Sequence, residues 1–218
     1  MTHATQIMAH RGASHAAPEN TVAAFRLAGT LGADAVELDV RRSADGRLLI
    51  SHDVLAAEIA HDVPTLADAL DACSGMWVNV EIKNDPEESD FDASDSIADQ
   101  TVAALLGRGE DDRWLISSFR METIDRCRAL APEISTAFLT SDVPEGIIDR
   151  LVRKGHRALH PWYGFATVDV IAEAHDKGVQ VNVWTCDDPA AMTRLAGWGV
   201  DGICTNVPDL ALATLHRP

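Results

Sequence analysis

Glu37, Asp39 and Glu81 stand in two short patterns, Glu-x-Asp and Glu-x-Lys, the second closing on Lys83. In an extended chain, residues two apart share a face, so Glu37 points with Asp39 and Glu81 with Lys83. Three carboxylates are hard oxygen donors. With no thiolate among them, they suit Mg²⁺ or Ca²⁺ better than zinc. Left without a cation, they would repel one another and resist ionising. Two histidines, His10 and His52, each close an apolar run of their own, and imidazole, titrating near about 6.5, can give and take protons at neutral pH. Arg11 and Lys83 supply positive charge beside them. One divalent cation, two fixed cations and a proton-transfer pair suit cleavage of a phosphate ester. In that reaction, charge on the equatorial oxygens must be balanced and the departing alkoxide protonated.

These residues converge only if the chain folds as repeated strand–helix units. Strands are expected at Gln6–Ala9, Ala35–Arg41, Arg47–Ser51, Trp77–Ile82, Trp114–Ser118, Ser135–Leu139, Ala158–His160, Val179–Trp184 and Gly202–Thr205. Helical spacing of Ala and Leu fills the intervals at Thr21–Leu31, Leu66–Cys73, Ser94–Leu106, Met121–Leu130, Glu145–Lys154, Val168–Lys177, Pro189–Trp198 and Pro208–Leu215. Thr65, Thr167 and Asp188-Pro189 are start signals, and Gly155, Gly178 and Gly199 fall where helices should end. Alternation of this kind predicts an α/β barrel of the TIM type, (β/α)₈, with functional side chains at the C-terminal ends of its strands.

One strand is surplus to such a barrel. Asp45-Gly46, between the second and third runs, is a hairpin signal, and a turn centred on this pair would set Asp39 opposite His52. The alternative is two parallel barrel strands with a tight connection. Either arrangement brings Glu37, Asp39 and His52 to one end. His160 also falls at a strand end, with no clear chemistry attached. His3, His15, His61, His156, His175 and His216 read as surface or loop histidines.

The 218 residues carry a formal charge of −16 and are 46% hydrophobic. This composition fits one soluble domain and disfavours nucleic acid or an anionic membrane as partner. An anionic substrate would need the field reversed locally, as a cation and a few basic side chains would do. Cys73, Cys127, Cys186 and Cys204 form no metal-binding spacing and read as buried thiols. No apolar run is long enough to span a bilayer, and the polar start of the chain does not look like a secretion signal, so a cytoplasmic location is expected. The acidic stretch Asn84–Asp95 reads as a loop leading into a helix, with a role in covering the site as the lesser possibility.

The strings AHRG, PENT, ELDVRRSADGRLLISHD and VEIK, followed more weakly by VNVWTCDDP and GVDGICTNVPD, together resemble the glycerophosphodiester phosphodiesterase family along nearly the whole chain. The resemblance implies hydrolysis of a small glycerophosphodiester to an alcohol and sn-glycerol 3-phosphate. It places catalytic histidines on His10 and His52, and acids holding one divalent cation, Mg²⁺ or Ca²⁺, on Glu37, Asp39 and Glu81. It places phosphate contacts on Arg11 and Lys83, with Asn20 near the cation or phosphate and Glu19 bracing the site. Trp184, with Trp162 as a further candidate, is expected to line the pocket for the alcohol. Family members carry an insertion of some tens of residues after the His-Asp motif, and here only a short segment separates Asp53 from Thr65. The single domain therefore lacks one wall of the pocket. The same catalytic floor would also serve a phosphodiesterase acting on lysophospholipid or sphingolipid head groups. A noncatalytic barrel binding a phosphorylated metabolite is the reading from a different class.

Overall fold

A computed structural model describes residues 4–56 and 63–216. In chain order the elements are β1 (Gln6–His10), α1 (Val22–Leu31), β2 (Ala35–Arg42), β3 (Leu48–Ile50), α2 (Leu66–Ala72), β4 (Trp77–Ile82), α3 (Ser96–Leu106), β5 (Trp114–Ser118) and α4 (Met121–Leu130). They continue with β6 (Ser135–Thr140), α5 (Ile147–Lys154), β7 (Ala158–Pro161), α6 (Val168–Asp176), β8 (Gln180–Val183), α7 (Pro189–Gly197), β9 (Gly202–Thr205) and α8 (Pro208–Thr214). Parallel pairing runs β1-β2-β4-β5-β6-β7-β8-β9 and returns from β9 to β1, which closes an eight-stranded barrel. The ninth strand, β3, lies antiparallel on β2, outside the ring. The chain is thus a TIM-type barrel with one hairpin strand added.

The helices start where side-chain caps are available. Thr65 and Asp68 form a reciprocal capping box at α2, Thr167 caps α6, and Asp188 with Pro189 in the first turn opens α7, each satisfying amides that a helix start leaves unpaired. Thr21 caps α1 through the Ala24 amide. Apolar helix faces then pack on the outer surface of the barrel. Phe25, Leu66, Leu70 and Leu105 join Val36, Val78 and Ile116 on one side, and Ile148, Leu151, Ile171 and Leu195 join Val181 and Ile203 on the other.

Alternate strand residues turn inward. Met8, Ala35 and Cys204 pack with Trp77 and Trp184, and Leu115, Ala137 and Ala158 also pack on Trp77, filling the interior below the mouth. All four cysteines are buried free thiols, as their spacing predicts. His156 departs from expectation. It is buried, with Nδ1 2.8 Å from Thr136 Oγ1 and Nε2 3.0 Å from Asp125 Oδ1, because an acid on α4 supplies a partner that its own segment does not reveal. His3 and His61 lie outside the described residues.

The β2–β3 hairpin also corrects a detail. Its register pairs Val40 with Ile50 and Arg41 with Leu49, and the Ser51 amide donates to the Asp39 carbonyl. Asp39 therefore faces Ser51, not His52. The loop closes between Ser43 and Arg47, with Gly46 at φ +87°. This is the three-residue type of hairpin loop rather than the two-residue type, and it slips the pairing by one.

Candidate active site

Strand register assembles the acids. Across β1 and β2, His10 pairs with Glu37, and across β2 and β4, Asp39 pairs with Glu81. Oxygens of Glu37, Asp39 and Glu81 lie within 4.8 Å of one another, and all three side chains are buried. Each has an organiser. The Arg11 amide donates to Glu37 Oε2 at 2.9 Å, Lys83 Nζ donates to Glu81 Oε1 at 3.1 Å, and Asn20 Nδ2 donates to Asp39 Oδ2 at 2.8 Å. Asn20 also accepts from the Asp39 amide at 3.3 Å, so both ends of its amide are committed to this one residue. Arg11 Nε stands 3.2 Å from Asp39 Oδ2, close enough for an ion pair but without hydrogen-bond geometry, while its Nη1 donates to Glu19 Oε1 at 2.9 Å.

Burial first, and then the charges of Asp39 and Glu81, push the Glu37 carboxyl well above its usual range. Burial and Asp39 raise Glu81 to about 7, against the pull of Lys83. Glu37 Oε1 is buried with no hydrogen-bond partner. A buried oxygen without a partner, in a group of three carboxylates too crowded to ionise together, fits a bound hard cation.

His10 stands beside this group, its Nε2 3.9 Å from Glu37 Oε2. Its Nδ1 lies 2.7 Å from Asn206 Oδ1, which also accepts from Ser14 Oγ. Asn206 cannot turn its amide freely, because Nδ2 donates to Asp187 Oδ2 at 2.6 Å. With an oxygen facing it, Nδ1 carries the ring proton and Nε2 keeps its lone pair toward the acids. Burial lowers the His10 pKa more than the Asn206 hydrogen bond raises it.

His52 sits at the rim, more exposed than His10, with Nδ1 2.8 Å from Asp53 Oδ1. Its backbone carbonyl accepts from Arg41 Nε and Nη2 at 2.9 and 2.7 Å. Trp184 lines the small central cavity together with His10, Glu37 and Glu81. Its indole N–H donates to the His160 carbonyl, and its ring meets Phe119 edge-on at 5.4 Å. Trp162 and Phe165 are exposed and group with the half-buried Tyr163. His160 is fully enclosed, its Nε2 3.0 Å from Asn182 Nδ2, and burial lowers its pKa to about 3. From Glu81 and Lys83, a groove of 340 Å³ opens past Asn84, Pro86 and Glu88 to Phe119 and Phe138. The acidic loop after β4 is thus one of its walls.

Gly12 explains the abrupt end of β1. It has φ +80°, and a Cβ there would come within 2.6 Å of the Ala24 backbone. Helix α1, not a ligand, is what requires glycine at this position. Arg11 and Asn20 also adopt positive φ, both at +56°, a cost that non-glycine residues bear where the local geometry is over-determined.

Sequence reasoning missed Asn206, Asp187 and Arg41. Arg41 had a signal, since Glu37, Asp39 and Arg41 are successive residues of one strand face. Asn206 had none without knowledge that β9 closes on β1.

The chain is similar to known proteins along nearly its whole length. The profile of the glycerophosphoryl diester phosphodiesterase family matches residues 10–62 and 54–210. The glycerophosphodiester phosphodiesterase of Caldanaerobacter subterraneus subsp. tengcongensis is 28% identical over 98% of this chain and 98% of its own. Among solved structures, an Oleispira antarctica phosphodiesterase in complex with the product sn-glycerol-3-phosphate superposes with a TM-score of 0.83 at 27% identity, covering 98% of each chain. The glycerophosphodiester phosphodiesterase of Thermotoga maritima gives 0.79 at 26% identity, covering 98% of this chain and 99% of that one. Family profile, full-length likeness and barrel together make the chain a member of the glycerophosphoryl diester phosphodiesterase family.

Proposed function

We propose that the protein hydrolyses small glycerophosphodiesters to an alcohol and sn-glycerol 3-phosphate, using His10 and His52 for proton transfer and one divalent cation, Mg²⁺ or Ca²⁺, held by Glu37, Asp39 and Glu81. The observation that carries this reading is the buried carboxylate trio, within 4.8 Å, beside an imidazole whose Nε2 is free. The product seen in the Oleispira antarctica phosphodiesterase supports the choice of substrate.

Each side chain then has a task. A bound dication would add positive charge at a nonbridging phosphate oxygen. Arg11 and Lys83 hold the remaining phosphate oxygens. His10 Nε2 takes the proton of the attacking hydroxyl, either water or the neighbouring glycerol hydroxyl, as the new P–O bond forms; by the second route the first product is a cyclic phosphate, which water then opens to sn-glycerol 3-phosphate. The P–O bond to the alcohol breaks, and His52 gives its proton to the departing oxygen. Asp53 holds the Nδ1–H of His52, so the ring acts as the doubly protonated imidazolium and gives up the proton on Nε2. Glu19 and Asn20 act from behind, on Arg11 and Asp39. Trp184 lines the pocket.

The chain also lacks the customary insertion after Asp53. The family profile breaks into two matches that meet at residues 54–62, which supports this reading, and the loop after β4 stands as the pocket wall instead. His10→Ala and His52→Ala are each expected to cut turnover ~10²–10⁴-fold with the fold intact. Near-wild-type rates in either variant would refute that assignment.

A further inference from the structure

Among the described residues Arg41 is the largest fully buried side chain, 1% exposed, and it faces the barrel mouth in line with Glu37 and Asp39. A guanidinium is rarely enclosed this completely unless its donors are occupied. Here they are. Nε and Nη2 both donate to the His52 carbonyl, Nη1 and Nη2 form a fork on the Glu88 carboxylate at 2.8 Å each, and Nη1 also reaches Asp90 at 2.9 Å. Glu88 and Asp90 belong to the acidic loop after β4, and Glu88 lines the groove that leads away from Lys83. A single side chain on β2 thus joins two segments that share no hydrogen bond with each other among the described residues, the stretch after β3 that carries His52 and the wall of the groove.

Solvation alone does not account for this arrangement. The Glu88 and Asp90 side chains are about a third and a quarter exposed and would be adequately hydrated without Arg41. The His52 carbonyl accepts from no other group among the hydrogen bonds of the described residues. The fork fixes orientation as well as distance, because a planar guanidinium meets a carboxylate in one geometry.

We propose that Arg41 is a positioning residue: it locks the His52 backbone to the acidic loop, so that the His52 imidazole is held on the leaving-group side of the phosphodiester while the loop is held as the wall beside it. The inference rests on the reading of His52 as proton donor to the leaving alcohol. Loss of the lock would then hurt departure of a poor leaving group far more than departure of a good one, since a weakly basic leaving group needs little help from an acid.

The test compares Arg41→Met, Arg41→Lys and Glu88→Gln on two glycerophosphodiesters, one releasing an aliphatic alcohol and one releasing 4-nitrophenol. Hydrogen exchange is followed in segments 51–53 and 84–95. Arg41→Met is expected to lower kcat roughly 10²-fold on the aliphatic diester and only about threefold on the nitrophenyl diester, with KM nearly unchanged. Arg41→Lys should recover part of the loss, and Glu88→Gln should show a smaller version of the same split. Both segments should exchange faster while the barrel strands keep their protection. Equal loss on both substrates, or no loss, overturns the proposal. Should Arg41→Met fail to fold, the same split is read in Arg41→Lys and Glu88→Gln. If the wild type cleaves neither diester, the hydrolase reading is what fails, and unchanged exchange in the two segments would separately remove the lock.

Discussion

Asn206 Oδ1 lies 2.7 Å from His10 Nδ1, joining the end of the last strand to the end of the first across 196 positions of chain. Asp187 turns the Asn206 amide through a 2.6 Å hydrogen bond, and the resulting orientation decides which nitrogen of His10 is free. The arrangement resembles the outer-shell partners that fix a metal-bound histidine, except that here the histidine serves proton transfer in the proposed reaction.

Asn206→Leu keeps side-chain size but leaves Nδ1 without an acceptor. Turnover is expected to fall roughly 10–100-fold with little change in KM. Asn206→Asp places a carboxylate against Nδ1, which favours the charged ring. A base held protonated to higher pH works over a narrower range, so the acid limb of the kcat/KM profile should move upward. The wild-type limb should lie below the ordinary histidine value, because burial lowers the His10 pKa.

The carboxylate trio predicts proton release on cation binding. In the ion-free protein Glu81 titrates at about 7 and Glu37 higher than usual, both chiefly through burial. A dication favours the charged carboxylates and displaces the protons they hold. Apparent affinity for Mg²⁺ or Ca²⁺ should therefore rise with pH through 7, and calorimetry in buffers of different ionisation enthalpy should show protons leaving below that pH. The stability that added cation confers should also grow with pH. The raised carboxyl keeps the proton in the folded, ion-free state, whereas the unfolded chain releases it near 4.5.

His160 makes the stability of the protein itself rise with pH, with or without a cation. Its folded pKa is lowered to about 3 from 6.5 by burial. Between these values the unfolded chain binds the extra proton, so stability is complete above the unfolded pKa and is lost as pH falls toward the folded one. The loss approaches about 1.4 kcal/mol per pH unit for one proton. Urea midpoints measured from about pH 7 down to about pH 5 should fall more steeply in the wild type than in His160→Gln.

Gly12→Ala tests the close approach of β1 to α1. The new methyl group would meet the Ala24 carbonyl carbon at 2.6 Å, with the backbone at φ +80°. A loss of about 2–4 kcal/mol is expected, combining strain with overpacking, read as a lower urea midpoint at unchanged slope.

Much of this site was legible in the chain because strand chemistry is local. Glu37 with Asp39, and Glu81 with Lys83, follow from a period of two, and Asp45-Gly46 announces the hairpin. Register is not local. The three-residue loop closed at Gly46 moves the partner of Asp39 from His52 to Ser51, and no composition rule separates the two loop lengths. Ring closure is also invisible in one dimension, so Asn206 and Asp187 went unread although they lie in a recognisable strand–turn–helix segment. His156 was misplaced for the same reason, since its partner Asp125 lies 31 positions away on helix α4. Arg41 was the avoidable omission, lying two residues beyond Asp39 on the same face.

The most direct test is to incubate the purified protein with glycerophosphodiesters, with and without chelator, and to measure sn-glycerol 3-phosphate. Release of one equivalent per diester consumed, abolished by chelation and restored by Mg²⁺ or Ca²⁺, is the predicted result. Intact diester in the presence of either ion, or turnover indifferent to the chelator, would contradict the account.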